Sequence, residues 1–349
     1  MSPRVSFPHG QRAPRCRAAG AALAAGLLLL CGCAKTPSPK ASAVREVRVI
    51  LDFLPNAVHV GLYRAQAAGY YRDAGLSVRL EPPTTTSDTL RLMAAGQAEF
   101  GVVSLLDFLN VRAKGEPLKI VMALEQRPLG ALFCLTRTGI TRPRDLQGRL
   151  VSITGVLSDE AGVRFMVRHD GGDSSRVRMI NIGFNTAQQV IAGNVDAAFG
   201  FWNQDAVQVG QRQPVTVLRL DENGVPPYPE LVVFVREDFL AREPGTVRAF
   251  LRAVSRGYAD ALRSPDAALA SMASLVEGET AEGLRPFFDS VRPVLQADAP
   301  AYGRVNLAVL RDYLAWVREA GVFDFRADPS SFATNDYLPP AAGERGAER

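Results

Sequence analysis

Val47-Arg48-Val49-Ile50-Leu51-Asp52-Phe53-Leu54-Pro55-Asn56-Ala57-Val58-His59-Val60-Gly61-Leu62-Tyr63 decides how the rest of the chain is read. Val47 to Leu51 has the hydrophobic pattern of a strand, and Val60 to Tyr71 that of a helix. Pro55 ends the strand, and Asn56 is a natural helix N-cap. A strand that passes through a polar and aromatic turn into a helix delivers side chains to the carboxyl end of a sheet. Open α/β folds bind their ligands there. Phe53 can stack, while Asp52, Asn56 and His59 can hydrogen-bond. Such an edge suits recognition and holds no evident catalyst.

The alternation continues outward from this stretch. Strands are expected at Arg48–Asp52, Ser77–Glu81, Phe100–Val103, Lys119–Leu124, Leu132–Thr136, Leu150–Ile153, Val177–Ile182, Ala197–Phe201, Val215–Leu220 and Leu231–Val235. Helices are expected between most of them, at Val60–Ala74, Thr86–Ala95, Leu106–Ala113, Asp159–His169 and Ala187–Ala192. Gly75, Gly96 and Gly193 stand where glycine stops a helix. This βαβ order predicts parallel sheets with helices on both faces. Beyond Val235 the pattern turns helical: Pro244–Leu262, Pro265–Leu275, Ala281–Val291 and Leu307–Ala320. Two segments share a plan of helix, glycine, acid and a short strand near Phe-Gly: Leu92–Gly101 and Val190–Gly200. Two lobes of one topology would produce this; so would the general likeness of helix-Gly-strand joints.

The 349 residues carry 40 Lys and Arg against 36 Asp and Glu. Four of the arginines (Arg4, Arg12, Arg15 and Arg17) precede the apolar run Ala18–Leu30 in the layout of an export signal. Leu30-Cys31-Gly32-Cys33 resembles a lipobox, with Gly32 before the cleavage point and Cys33 as the acylated residue. Residues 1–32 are therefore expected to be a lipoprotein signal and 33–45 a tether. The apolar run is short for a bilayer span. Without the signal the charge is balanced, which gives no case for nucleic-acid binding. Cys134, in the apolar run Ala131–Leu135, is then the one remaining thiol, expected in the core. Residues 340–349 read as a disordered tail. About 295 residues lie between these ends, above the size at which one core gives way to two. The expected division is 46–130 for the first part of lobe I, 131–235 for lobe II and 236–339 for a mostly helical second part of lobe I.

Residues 51–83 resemble the opening of the thiamine-precursor binding proteins of ABC importers, the ThiY type, whose superfamily includes the fungal enzymes that make the thiamine pyrimidine. The family opening reads Leu-Asp-Trp-x-Pro-Asn-x-x-His-x-Gly-Leu-Tyr, matched here at Leu51, Asp52, Pro55, Asn56, His59, Gly61, Leu62 and Tyr63, with Phe53 in place of tryptophan. Similarity continues through Gly96–Gly101, Leu146–Gly148, Gly193–Ala197, Phe199–Asn203 and Asp221–Pro226 to Thr334–Leu338. Two departures each keep an acid one carbon shorter and lose an aromatic ring: Ser104-Leu105-Leu106-Asp107 and Trp202-Asn203-Gln204-Asp205. The resemblance implies a type II periplasmic-binding-protein fold, with two α/β lobes around a cleft and a helical C-terminal region packed on lobe I. It also implies a monomeric, lipid-anchored solute-binding protein that uses no cofactor. Its partners would be a planar N-heterocycle and the permease and ATPase of an importer. Riboflavin, thiamine or an alkylsulfonate are alternative ligands.

Trp202 is expected to stack on the ligand ring, with Asn203 and Asp205 pairing its nitrogens; hinge packing and helix capping are the competing roles. Phe53, Asn56 and His59 are the first lobe's candidates, though a lone histidine at a helix start is often a structural donor. Thr154 and Gly155 follow a strand and open a helix, where free amides meet polar ligand edges. Ser104 and Asp107 are cleft-lining or capping residues; Gln126 and Tyr228 complete the expected lining. An enzyme would need a nucleophile with its base, or a metal site. There is no His-Glu-x-x-His, no Gly-x-Ser-x-Gly and no phosphate loop, and the fungal enzymes' cysteine-rich run is absent. Synthesis of the thiamine pyrimidine is thus the weaker alternative.

Overall fold

The computed structural model describes residues 44–297 and 299–341. The expected signal and Cys33, and most of the tether and of the tail, lie outside the described residues. All ten expected strands form: β1 (Arg45–Ile50), β2 (Leu76–Glu81), β3 (Phe100–Ser104), β4 (Leu118–Ala123), β5 (Gly130–Leu135), β6 (Leu150–Ile153), β7 (Arg178–Asn181), β8 (Ala197–Phe201), β9 (Val215–Arg219) and β10 (Leu231–Arg236). They build two five-stranded sheets, ordered β2-β1-β3-β10-β4 and β7-β6-β8-β5-β9.

Both sheets are mixed, not parallel as alternation alone suggested. β10 runs antiparallel between β3 and β4, and β5 runs antiparallel between β8 and β9. Each of these strands enters its sheet on a segment crossing from the other lobe. β10, expected to close the second lobe, is a central strand of the first sheet. Its residues Leu231 to Val235 are buried on both faces, so their apolar run does not say which sheet they join.

The two sheets repeat one topology, and β3 and β8 hold the same place in it. Glu99 and Asp196, one acid before each strand, receive matching amides: Arg48 N–H donates to Glu99 and Leu150 N–H to Asp196, both at 2.8 Å. Gly96 and Gly193 adopt φ of 68° and 73°, the left-handed conformation that stops the preceding helix. The internal likeness in sequence thus has a structural counterpart.

Alternating residues sort the core by face. Val49 and Leu51 join one cluster and Ile50 another; Leu132 and Cys134 face opposite to Phe133 and Leu135. Helix α1 (Val60–Ala67) covers the first sheet, and Gly69 (φ 75°) breaks the expected long helix before α2 (Tyr70–Asp73). α3 (Asp88–Ala94), α4 (Leu105–Ala113), α5 (Leu157–His169), α6 (Thr186–Ala192) and α7 (Val207–Gly210) complete the α/β part. The tail adds α8 (Glu237–Arg242), which the sequence pattern did not suggest, then α9 (Pro244–Arg263), α10 (Pro265–Ala273), α11 (Ala281–Gln296) and α12 (Leu307–Glu319). α9 presents Val247, Phe250, Leu251, Val254 and Tyr258 at helical spacing to the core behind the first sheet. α12 instead packs Leu310, Tyr313, Leu314 and Val317 into a cluster shared by both sheets. Among the described residues no helix is long and apolar enough to cross a membrane.

Candidate ligand-binding cleft

Four strand ends converge on one cleft: those of β1 and β3 from the first sheet, and β6 and β8 from the second. They contribute Asp52 and Phe53, Ser104 and Asp107, Thr154 and Asp159, and Phe201 and Asp205; the cleft holds about 620 Å³, part of it open to solvent. Asn56, Thr86, Val103, Val156, Ser158, Gly200, Gln204 and Leu231 complete the wall. Among the described residues four aspartates line it, and no lysine or arginine does.

Direct contacts bridge the cleft. Ser158 donates to Asp107 through its hydroxyl (2.7 Å) and its amide (3.3 Å), and Thr86 Oγ1 donates to the Thr154 carbonyl at 3.0 Å. Phe53 meets Phe184 edge to face with centroids 4.7 Å apart. The crossing segments between the sheets are tied by buried Glu230, which accepts the amides of Leu129 (2.7 Å) and Gly130 (3.2 Å) and the Tyr228 hydroxyl (3.0 Å).

Burial raises the acids here because it disfavours their charged form. It pushes Asp159 up to about 7 and Asp205 up to about 6, against the hydrogen bonds from Thr154 to the one and from Phe201 and Thr186 to the other. Asp107 is raised by the same cause, opposed by the Ser104 and Ser158 donors. Glu230 is pushed up to about 7 by burial, against the Leu129 and Gly130 amides.

Of the residues singled out by sequence, Phe53, Asn56, Ser104, Asp107, Thr154 and Asp205 are brought together on the cleft wall. His59 is 0% exposed, behind Asp52. Trp202 is turned away: its indole N–H donates to the Pro128 carbonyl at 3.1 Å, and the Arg219 guanidinium covers its ring at 4.2 Å. Asn203 is buried, and neither polar atom of its side chain has a hydrogen-bond partner. Both stand at the start of the π-helical turn Trp202–Ala206, whose Gln204 and Asp205 line the cleft. Gln126 lies in a separate groove, donating to the Arg304 carbonyl at 3.1 Å. Tyr228 sits at the crossing segment beside Glu230. Gly155, with φ of 92°, shapes the turn after β6; a side chain there would strike Asn181.

Sequence reasoning passed over Asp159, seen only as the start of an expected helix, and Phe184. Their chemistry was visible, but burial and proximity across the cleft were not.

Residues 56–268 match the family described as NMT1/THI5 like. The chain belongs to that family. An NMT1/THI5-like relative, the formylaminopyrimidine-binding protein of Halalkalibacterium halodurans, is 30% identical over 245 residues, 70% of this chain and 74% of the relative. The 4-amino-5-hydroxymethyl-2-methylpyrimidine phosphate synthase of Aspergillus parasiticus is 27% identical over 310 residues, 84% of this chain and 87% of that protein. A Candida albicans protein with the generic periplasmic-binding-protein fold superposes with a TM-score of 0.65 at 16% identity, over 85% of this chain and 99% of that one. The fold of this NMT1/THI5-like chain is thus the periplasmic-binding-protein fold, with two α/β lobes about the cleft.

Proposed function

We propose that the protein is an extracytoplasmic solute-binding protein, anchored by lipid at Cys33, that captures a small amino-bearing N-heterocycle and delivers it to an ABC permease driven by a separate ATPase. Formylaminopyrimidine or hydroxymethylpyrimidine is the proposed ligand, bound without being altered. The observation that carries this reading is the cleft wall, with four aspartates and no basic residue.

Buried carboxylates require donors or positive charge, since an isolated buried charge is costly. An aminopyrimidine supplies both N–H donors and a flat face. Phe53 and Phe201 can take that face, each ring contributing about 0.5–1.5 kcal/mol beyond area burial. The same wall argues against an alkylsulfonate. Helix N-termini ordinarily attract anions, but Asp159 already occupies the first turn of α5, and Asp107 accepts the Ser158 amide there. Phe53, Asn56, Ser104, Asp107, Thr154 and Asp205 would touch the ligand directly, with His59 holding Asp52 and Gly155 shaping the turn beside Thr154. Entry requires the Ser158–Asp107 and Thr86–Thr154 bonds to part, a hinge opening of the lobes.

Thermal melting against a ligand panel tests the reading. Formylaminopyrimidine or hydroxymethylpyrimidine at about a hundred times its Kd should stabilise the protein by roughly 2.7 kcal/mol, while alkanesulfonate leaves the melting temperature unchanged. Stabilisation by the sulfonate alone would overturn it.

A further inference from the structure

The loop after β1 spends nearly all its polar groups on itself. Asn56 Oδ1 accepts the Val58 amide and Nδ2 donates to the Leu54 carbonyl, both at 3.0 Å. The Asn56 amide donates to His59 Nδ1 at 3.2 Å, so the imidazole proton sits on Nε2. Nε2 donates to Asp52 Oδ1 at 2.8 Å, with the histidine side chain 0% and the aspartate side chain 9% exposed. Oδ2 of Asp52 then remains without a partner among the described residues, on a side chain that lines the cleft.

The opposite wall repeats the pattern. Asp159 Oδ2 accepts both the amide (2.7 Å) and the hydroxyl (2.6 Å) of Thr154, leaving Oδ1 without a donor among the described residues. In the other two aspartates each oxygen already accepts from a protein donor. Asp107 accepts Ser158 N–H on Oδ1 and the Ser104 and Ser158 hydroxyls on Oδ2; Asp205 accepts Thr186 on Oδ1 and the Phe201 amide on Oδ2.

We propose that Asp52 and Asp159, one from each lobe, are the specificity-determining residues that read the ligand's N–H groups, with His59 as the positioning residue for Asp52. The inference rests on the solute-binding reading above and narrows its ligand class to heterocycles with N–H donors on two edges. One such ligand bridges both lobes, so recognition and closure coincide. A ring lacking the exocyclic amine satisfies one carboxylate at most. Each lost charge-assisted bond weakens binding more than a neutral one does.

The test is calorimetry on the full chain with two probes: formylaminopyrimidine, which carries an amino group and a formamide N–H, and the same compound without its amino group. Asp52→Asn and Asp159→Asn each preserve the protein's own bonds, since the amide oxygen still accepts from His59 or Thr154. Each should weaken the aminopyrimidine at least about tenfold and shrink its advantage over the amine-free probe. His59→Leu should reproduce the Asp52→Asn loss, while His59→Gln, whose Nε2 can donate in the same place, restores affinity and selectivity. Two folded aspartate variants that keep wild-type affinity and selectivity overturn the assignment and leave the solute-binding reading standing. A wild-type protein that binds neither pyrimidine overturns both.

Discussion

Gly257→Ala should lower the melting temperature by about 5 °C or more, whereas Gly245→Ala, on the same helix, should shift it by no more than about 2 °C. Gly257 is where α9 crosses α1. A Cβ at Gly257 would lie 2.1 Å from the Gly61 carbonyl oxygen and 2.9 Å from the Ala65 nitrogen. Both are backbone atoms of α1, so no rotamer change relieves the clash and the helices must separate. Gly61 is equally tight from its own side, 2.2 Å from the Tyr258 ring. Tyr258 is buried, donates to the Val58 carbonyl at 2.6 Å and stacks on Tyr302. Parting the pair therefore strains the Val58–His59 turn, whose His59 holds Asp52. Overpacking of this kind costs about 1–3 kcal/mol, sometimes more, and ligand affinity should fall with stability. A Cβ at Gly245 meets nothing within 4 Å. Differential scanning calorimetry on the two variants reads the difference; equal melting temperatures would refute the close crossing.

The second large effect is a fall in stability of the ligand-free protein as pH rises. In the folded chain burial pushes Asp159 and Glu230 up to about 7 and Asp205 up to about 6. Unfolded, these groups release their protons near pH 4. Between about pH 4 and 7 the folded chain therefore binds more protons than the unfolded one, and stability declines with rising pH. Surface carboxylates act in the opposite sense but lower down: Asp170, held at about 2 by Arg142, loses its contribution only as pH falls below the unfolded value. The melting temperature at pH 5.0 should thus exceed that at pH 7.5 by several degrees, about 5 °C. Asp159→Asn should flatten the profile. A melting temperature that rises from pH 5.0 to 7.5 would mean that these carboxylates are not held protonated by burial.

Much of this arrangement is legible in the residues. All ten strands are legible as apolar or alternating segments, and the carboxyl-end position of Phe53, Ser104, Thr154 and Asp205 follows from strand-to-helix order. What was not legible depends on partners distant in sequence. Leu231–Arg236 has the same apolar run whichever sheet it enters, and hydrogen bonds to Gly101–Ser104 and Leu118–Ala123 decide the matter. Glu237–Arg242 is one and a half helical turns, too short to show a periodicity of its own. Trp202 and Asn203 resemble ligand-reading residues because they follow the end of β8, yet within the π-helical turn it is Gln204 and Asp205 that line the cleft. Asp159 looked like an ordinary first-turn acid because its spacing from Thr154 says nothing about its burial. His59 stood out as the rare side chain of the loop, yet its bonds to Asn56 and Asp52 make it a support for its neighbour.

An amino-bearing heterocycle should occupy the acidic cleft between the lobes. Isothermal titration calorimetry of the full chain with formylaminopyrimidine tests this most directly. One saturable site per chain with a Kd on the order of micromolar or tighter is expected, and no heat from an alkanesulfonate under the same conditions. No saturable heat with formylaminopyrimidine or hydroxymethylpyrimidine, together with tight binding of the sulfonate, would contradict it.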